Sequence, residues 1–106
     1  VMKEALKGLK ADADYKHFWD PVVNICRDYL DHISNPMELS TVAAKLSNGT
    51  YPSSIEGVGA FAADVRLIWD NCFKYNRDGA DICQMARDLA AVFEECLEKL
   101  ENQNNA

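Results

Sequence analysis

The run Asp64–Asn76, with the sequence DVRLIWDNCFKYN, has an apolar side chain at about every third or fourth position. With the residues just before it, the apolar stripe consists of Phe61, Val65, Ile68, Cys72 and Tyr75. This spacing matches the 3.6-residue turn of an α-helix and places the stripe on one face. We therefore predict an amphipathic helix over residues 59–75, with Asn76 at its end.

The start of this helix is predicted from two glycines. Gly57 and Gly59 precede the stripe, and glycine lowers the stability of a helix interior. We therefore expect residues 53–56 to form a separate turn and the helix to begin near Gly59 or Ala60.

Three further segments show the same periodicity, which predicts helices over residues 2–11, 36–47 and 79–101. Before the second of them, Asn35-Pro36-Met37-Glu38 has the order of an N-cap, a proline at the first helical position and a capping-box acid. Asn48-Gly49 is a stop signal, and Asp78 is an N-cap candidate for the last helix. No alternating strand pattern competes with these segments, so the predicted fold class is all-α.

A stretch of about 24 residues without periodicity joins the first two predicted helices, from Asp12 to Asn35, which is long for a connection in a small bundle. Its apolar residues are Tyr15, Phe18, Trp19, Val22, Val23, Ile25, Tyr29, Leu30 and Ile33. So much apolar surface is unfavourable in water. We expect this loop to fold back onto the bundle and to form one wall of a pocket.

Composition narrows the possible partners. The chain has 106 residues and a formal net charge of −6, which disfavours binding to a bare phosphate backbone and allows a basic peptide partner. No apolar run is long enough to cross a membrane. The N-terminus has no secretory signal pattern, and we expect a domain excised from a larger protein.

The four cysteines, Cys26, Cys72, Cys83 and Cys96, are dispersed and form no C-x-x-C pair. With only two histidines in the chain, this pattern disfavours zinc. We expect Cys72, Cys83 and Cys96, at apolar positions of helices, to be buried free thiols and Cys26 to be a partly buried loop thiol, in a reducing, intracellular compartment.

The motifs resemble those of the bromodomain family. Residues 35–41, NPMELST, resemble the family's N-P-M-D-L-S-T signature, and residues 64–76 resemble its D-V-x-L-I-F-x-N-C-x-x-Y-N run. Asp81-Ile82 and Met85-Ala86 continue the pattern into the last helix, so the resemblance extends from Leu6 to Leu100.

The resemblance implies a left-handed four-helix bundle with a long packed loop between the first and second helices, and one acetyl-lysine-binding module over residues 1–106. It implies a non-catalytic reader of N-acetyl-lysine in a nuclear, chromatin-associated protein, without a cofactor. The implied partner is an acetylated histone tail or another acetylated basic peptide. We expect no direct contact with nucleic acid or membrane, and a monomer for the isolated domain.

The resemblance also implies a set of acetyl-lysine-binding residues: Asn76, Tyr29, Tyr75, Val22, Ile82, Phe18 and Ile25. Asn76 matches the family's acetyl-lysine asparagine, and its amide can donate to the acetyl carbonyl. Tyr29 matches the tyrosine that holds a bridging water to the same oxygen. A neutral acetyl amide fits such a pocket, whereas an unmodified lysine would lose its hydration without gaining a counter-charge.

The other five residues are expected to form the apolar walls of the pocket. Tyr75 matches the wall tyrosine, and Ile82 matches the residue at the pocket mouth called the gatekeeper. Phe18 matches the phenylalanine of the family's tryptophan-proline-phenylalanine shelf, and Val22 its loop valine. Ile25 is expected beside them.

The chain departs from the family pattern at this shelf, which is Lys16-His17-Phe18 here. Either the aromatic ledge is weakened or Trp19 or Tyr15 rebuilds it. An alternative function is therefore a bromodomain fold that serves as a protein-interaction module and does not bind acetyl-lysine. An enzyme is disfavoured, because no cysteine lies with a histidine and an acid in a recognisable arrangement.

Acidic residues are concentrated near the expected pocket. Between Asp12 and Glu38 there are six acids and two bases, a net charge of −4. Such a charge attracts a lysine-rich tail and raises its association rate in a salt-dependent way. Neutralising Asp20 and Asp28 is expected to lower that rate.

Overall fold

The computed structural model describes residues 2–22, 27–76 and 80–104. Its helical elements are α1 (Met2–Lys10), a 3-10 helix (Ala13–Phe18), α2 (Tyr29–His32), α3 (Leu39–Ser47), α4 (Ile55–Tyr75) and α5 (Asp81–Asn104). Among these described residues there is no strand. The predicted all-α fold class is confirmed.

The four longer helices, α1, α3, α4 and α5, share one apolar core because each has a buried face. In α1 that face consists of Met2, Ala5, Leu6 and Leu9. The rings of Phe61 in α4 and Phe93 in α5 are fully buried, with their centroids 5.8 Å apart. The helix α1 packs against α5, and α4 packs against both α3 and α5. The result is the four-helix bundle that the sequence predicts.

The loop between α1 and α3 folds back onto the bundle, as predicted. Phe18 is buried and packs edge-on against Trp69 of α4, with ring centroids 5.3 Å apart. The Ser40 N–H donates to the Trp19 carbonyl at 3.1 Å. The loop also contains helical structure that its lack of periodicity did not predict, the 3-10 helix and α2. Their length of six and four residues is too short for a 3.6-residue pattern to be visible.

The helix α4 begins at Ile55, so the predicted separate turn over residues 53–56 is wrong. Ser54 is the N-cap, and its hydroxyl accepts from the Gly57 N–H at 3.3 Å. A Cβ atom at Gly57 would lie 1.6 Å from the Pro52 carbonyl oxygen. Glycine is therefore required there by the close approach of two backbone segments, and it does not mark an end of the helix.

The helix α3 begins at Leu39, so the predicted start at Pro36 with Asn35 as the N-cap is wrong. Glu38 occupies the N-cap position with an extended backbone, and its side chain caps no N–H. The Thr41 hydroxyl donates to its carboxylate instead. The Asn35 carbonyl accepts from the buried Asn71 amide of α4 at 2.8 Å. This tertiary hydrogen bond holds Asn35 outside the helix that the local signal favours.

The remaining helix ends lie close to their predicted positions. The helix α3 stops at Asn48, followed by Gly49 with a φ of 81°, which confirms the stop signal. The helix α1 ends at Lys10, one residue before the prediction, and α5 extends to Asn104. Asp78, the predicted N-cap of α5, lies outside the described residues.

The described cysteines are free thiols. Cys72 and Cys83 are buried, which confirms the prediction for these two. Cys96 is half-buried and so less buried than predicted, and Cys26 lies outside the described residues. Over residues 2–22, 27–76 and 80–104, none of the helices combines the length and the hydropathy that a membrane span needs.

Candidate functional site

A cavity of about 150 Å³ lies where the loop after α1 meets the end of α4 and the start of α5. Six of the seven predicted site residues line it: Phe18, Val22, Tyr29, Tyr75, Asn76 and Ile82. They come from four elements and the loop, and the bundle brings them together. Ile25 lies outside the described residues. The part of these residues in binding acetyl-lysine stays a prediction.

Six other residues line the same cavity and were not predicted as site residues: His17, Asp20, Met37, Glu38, Ile68 and Cys72. Ile68 and Cys72 lie on the apolar stripe of α4, two turns and one turn before Asn76. Because residues four apart share a helix face, their spacing from Asn76 is a signal that could have identified them. Met37 and Glu38 reach the cavity from the non-helical segment before α3, which the predicted helix start obscured.

The shelf is rebuilt neither by Trp19 nor by Tyr15, because neither residue lines the cavity. The Trp19 ring packs edge-on against Tyr15, with centroids 6.3 Å apart, and the Lys10 ammonium lies 4.9 Å from the Trp19 ring. Phe18 is the aromatic residue of the Lys16-His17-Phe18 tripeptide at the cavity, with His17 beside it.

Asn76 is the C-cap of α4, and its side chain is held against the last turn. Its backbone N–H donates to the Cys72 carbonyl at 3.0 Å, and its side-chain Nδ2 donates to the same oxygen at 3.0 Å. The Cys72 Sγ lies 3.7 Å from Nδ2, and sulfur is a weak acceptor. A side-chain amide carries two N–H groups. A ligand carbonyl in the cavity can therefore compete with the sulfur for the second one.

The two site tyrosines contact each other. The ring centroids of Tyr29 and Tyr75 are 4.8 Å apart, and the His32 ring lies 5.8 Å from that of Tyr75. The Tyr75 hydroxyl donates to the Asp28 carboxylate at 2.5 Å. This hydrogen bond holds the pKa of Asp28 below its ordinary value. The second carboxylate oxygen of Asp28 lies 3.6 Å from the His32 Nε2.

Cys72 contributes a neutral thiol to the cavity wall. Burial, with a smaller effect from the neighbouring Cys83 thiol, raises the pKa of Cys72 to about 11. The thiol therefore remains protonated near neutral pH, which makes it a poor nucleophile. It donates to the Ile82 carbonyl at 3.7 Å and so links the end of α4 to the start of α5.

The polar lining of the cavity includes two acids. Two carboxylates, Asp20 and Glu38, line it together with His17. Within the part of the chain that the structure describes, there is no group of three or more histidine, cysteine, aspartate or glutamate side chains that could hold a metal ion.

Two comparisons with known proteins, one with family models and one with single proteins, show similarity to bromodomains. The family model described as Bromodomain matches residues 2–88 of this chain. The chain is 42% identical over 76 residues to a protein of Schizosaccharomyces pombe named SWR1 complex bromodomain subunit bdf1. The aligned residues make up 72% of this chain and 12% of that relative, so the chain spans a small part of the relative's length.

Proposed function

The chain belongs to the bromodomain family, and from that premise we propose that it binds N-acetyl-lysine in a histone tail or another acetylated basic peptide. Members of this family are reader modules and generally non-catalytic. The observation that carries the proposal is the meeting of Asn76 and Tyr29 in one mainly apolar cavity.

The lining of this cavity suits a neutral amide on an aliphatic stem. Val22, Ile68 and Ile82 offer apolar contacts to the stem and the methyl group. The Asn76 amide supplies a donor for the acetyl oxygen, and a water held by the Tyr29 hydroxyl supplies another. An unmodified lysine ammonium would lose hydration in the same place, and this cost favours the acetylated form.

The affinity of the isolated domain is expected to be low. One acetyl-lysine side chain has few atoms to offset the entropy cost of association, so we expect a Kd roughly in the micromolar to millimolar range. Neighbouring reader domains in a longer protein would then raise the effective affinity.

We further propose that the chain acts in the nucleus as part of a chromatin-associated protein. The support for this is the name of the S. pombe relative, a bromodomain subunit of the SWR1 complex. The negative charge of the chain suits a basic protein tail as partner.

A second candidate function is a protein-interaction module that keeps the fold and does not bind acetyl-lysine. The altered shelf favours it, because Trp19 packs away from the cavity and His17 replaces an apolar residue there.

An amide NMR titration distinguishes the two functions. The ligands are an acetylated histone-tail peptide and its unacetylated twin, and the variants are Asn76→Ala and a matched control, Asn102→Ala, near the far end of α5. We expect shifts at Tyr29, Asn76 and Ile82 with the acetylated peptide alone. Asn76→Ala should weaken binding about tenfold or more, since it removes the hydrogen-bond donor proposed for the acetyl oxygen, and Asn102→Ala should leave binding unchanged.

Three outcomes of this titration would count against the reader function or against the role of Asn76. If a panel of acetylated peptides causes no shift in the folded protein, the interaction-module function is favoured. Equal binding of both twins would reject the reader function, and full binding by Asn76→Ala would contradict the role given to Asn76.

A further inference from the structure

Asp28 connects α2 with the end of α4, the two elements that supply Tyr29 and Tyr75 to the cavity wall. It precedes Tyr29, the first residue of α2, and its carboxylate accepts from the hydroxyl of Tyr75 at the end of α4 at 2.5 Å. The two bonded residues are 47 positions apart in the chain. Asp28 is next to Tyr29 in the chain and hydrogen-bonded to Tyr75, so it links the two tyrosines, whose ring centroids are 4.8 Å apart.

The Asp28 side chain is not used for its common local role. An aspartate at an N-cap usually accepts from a backbone N–H of the helix that follows. Asp28 occupies the N-cap position of α2 and makes no such bond. The carboxylate accepts from Tyr75 at the end of α4 instead, so this contact is tertiary.

The helix α2 needs such a contact, because it has only four residues and an isolated helix of that length is unstable in water. Buried Tyr29 and Ile33 anchor one side of it. On the exposed side, the Asp28 carboxylate joins Tyr75 through one oxygen and faces His32 through the other.

We propose that Asp28 is a positioning residue of the acetyl-lysine site, which holds the Tyr75 ring against Tyr29 and thereby sets the affinity for the acylated side chain. This inference rests on the proposed function. Asp28 does not line the cavity, so it acts through Tyr75 and not by touching the ligand.

The test uses four single variants of the chain and the double variant Asp28→Ala/Tyr75→Phe. Asp28→Ala removes the acceptor, and Asp28→Asn removes the charge but keeps an acceptor oxygen. Tyr75→Phe removes the hydroxyl and keeps the ring. The matched control is Asp31→Ala, an exposed acid on the same helix.

Two readouts are measured for every variant. The first is the ring NMR signals of carbon-13-labelled tyrosines in the protein without peptide. The second is the Kd for an acetylated histone-tail peptide in about 0.3 M salt, where interactions between surface charges are largely screened.

We expect Asp28→Ala to shift the ring signals of Tyr75 and Tyr29 and to weaken binding about threefold to tenfold, the usual size for one hydrogen bond. Asp28→Asn should stay within about twofold of the unmodified protein, because its carboxamide oxygen still accepts. The double variant Asp28→Ala/Tyr75→Phe should be no weaker than the worse single variant, since both remove the same bond.

The inference is overturned if Asp28→Ala leaves the ring signals in place, or if it behaves like Asp31→Ala in binding. Additive losses in the double variant would also overturn it. If the unmodified protein binds no acetylated peptide, the proposed function fails, and with it the effect on affinity. The ring signals then still decide whether Asp28 holds Tyr75.

Discussion

Asn76 shows how one residue can serve both the fold and the site. Its backbone and side-chain N–H groups both donate to the Cys72 carbonyl, so it closes the last turn of α4 as a C-cap. The same side chain lines the cavity. The capping role and the proposed acetyl-lysine role of Asn76 are therefore compatible.

The Cys72 thiol predicts a pH dependence of stability. Its pKa is raised from 9.0 to about 11 in the folded protein. Above pH 9 the thiol therefore ionises more readily in the unfolded chain, and rising pH favours unfolding. The contribution is fully present below pH 9 and is lost as pH rises through about 11. Its full size is roughly 2–3 kcal/mol for a shift of about two units.

Urea unfolding at about pH 8 and about pH 10.5 measures this effect. The free energy of unfolding should fall more between the two values in the unmodified protein than in Cys72→Ala. Cys96→Ala, which removes a half-buried thiol, is the control and should keep the larger fall. An equal fall in the unmodified protein and Cys72→Ala would contradict the prediction.

At the scale of the elements, the two glycines of α4 have opposite surroundings. A Cβ atom at Gly57 would overlap the Pro52 carbonyl, whereas at Gly59 it would meet no atom within 4 Å. Gly57→Ala should therefore lower the free energy of unfolding by about 2 kcal/mol or more, as overpacking does. Gly59→Ala should raise it by about 0.5–1 kcal/mol, because alanine is the better helix former.

Chemical denaturation of the two alanine variants checks this prediction. The two glycines are only two residues apart in the same helix, so each variant serves as the control for the other. A similar effect of both substitutions would mean that Pro52 does not approach Gly57 closely. It would also favour the earlier prediction that α4 begins near Gly59 or Ala60.

The element boundaries show where sequence reasoning stops. The stop of α3 at Asn48-Gly49 was predicted correctly, because a positive φ at glycine is a local property. Its start was not, because the Asn71 amide holds the Asn35 carbonyl from 36 residues away. A local cap pattern has no information about such a partner.

At the scale of the whole molecule, charge should control the rate of association with a basic peptide. The chain carries a net charge of −6, and Asp20 lies at the cavity. Asp20→Asn should lower the association rate of a lysine-rich acetylated peptide about twofold to fivefold in low salt, because it weakens electrostatic attraction near the binding site. The difference should vanish in about 0.5 M salt, where the attraction is screened.

Stopped-flow measurements with a fluorescent peptide test this prediction. Glu98→Gln makes the same change of charge on the exposed surface of α5 and serves as the control, with a smaller expected effect. A rate that Asp20→Asn leaves unchanged in low salt would refute the steering role of the acidic loop.

Periodicity, composition and ordered motifs determined the all-α class, the four longer helices, the family resemblance and six described residues that meet at the cavity. The helices could be predicted because helical spacing is a local property of the sequence. The six cavity residues could be predicted because each lies at a position that matches a family motif. The tertiary structure alone decided the non-helical segment before α3 and the contact between Asp28 and Tyr75. Each of these depends on a hydrogen bond between groups that are 36 or 47 positions apart in the chain, and such proximity arises only when the bundle packs.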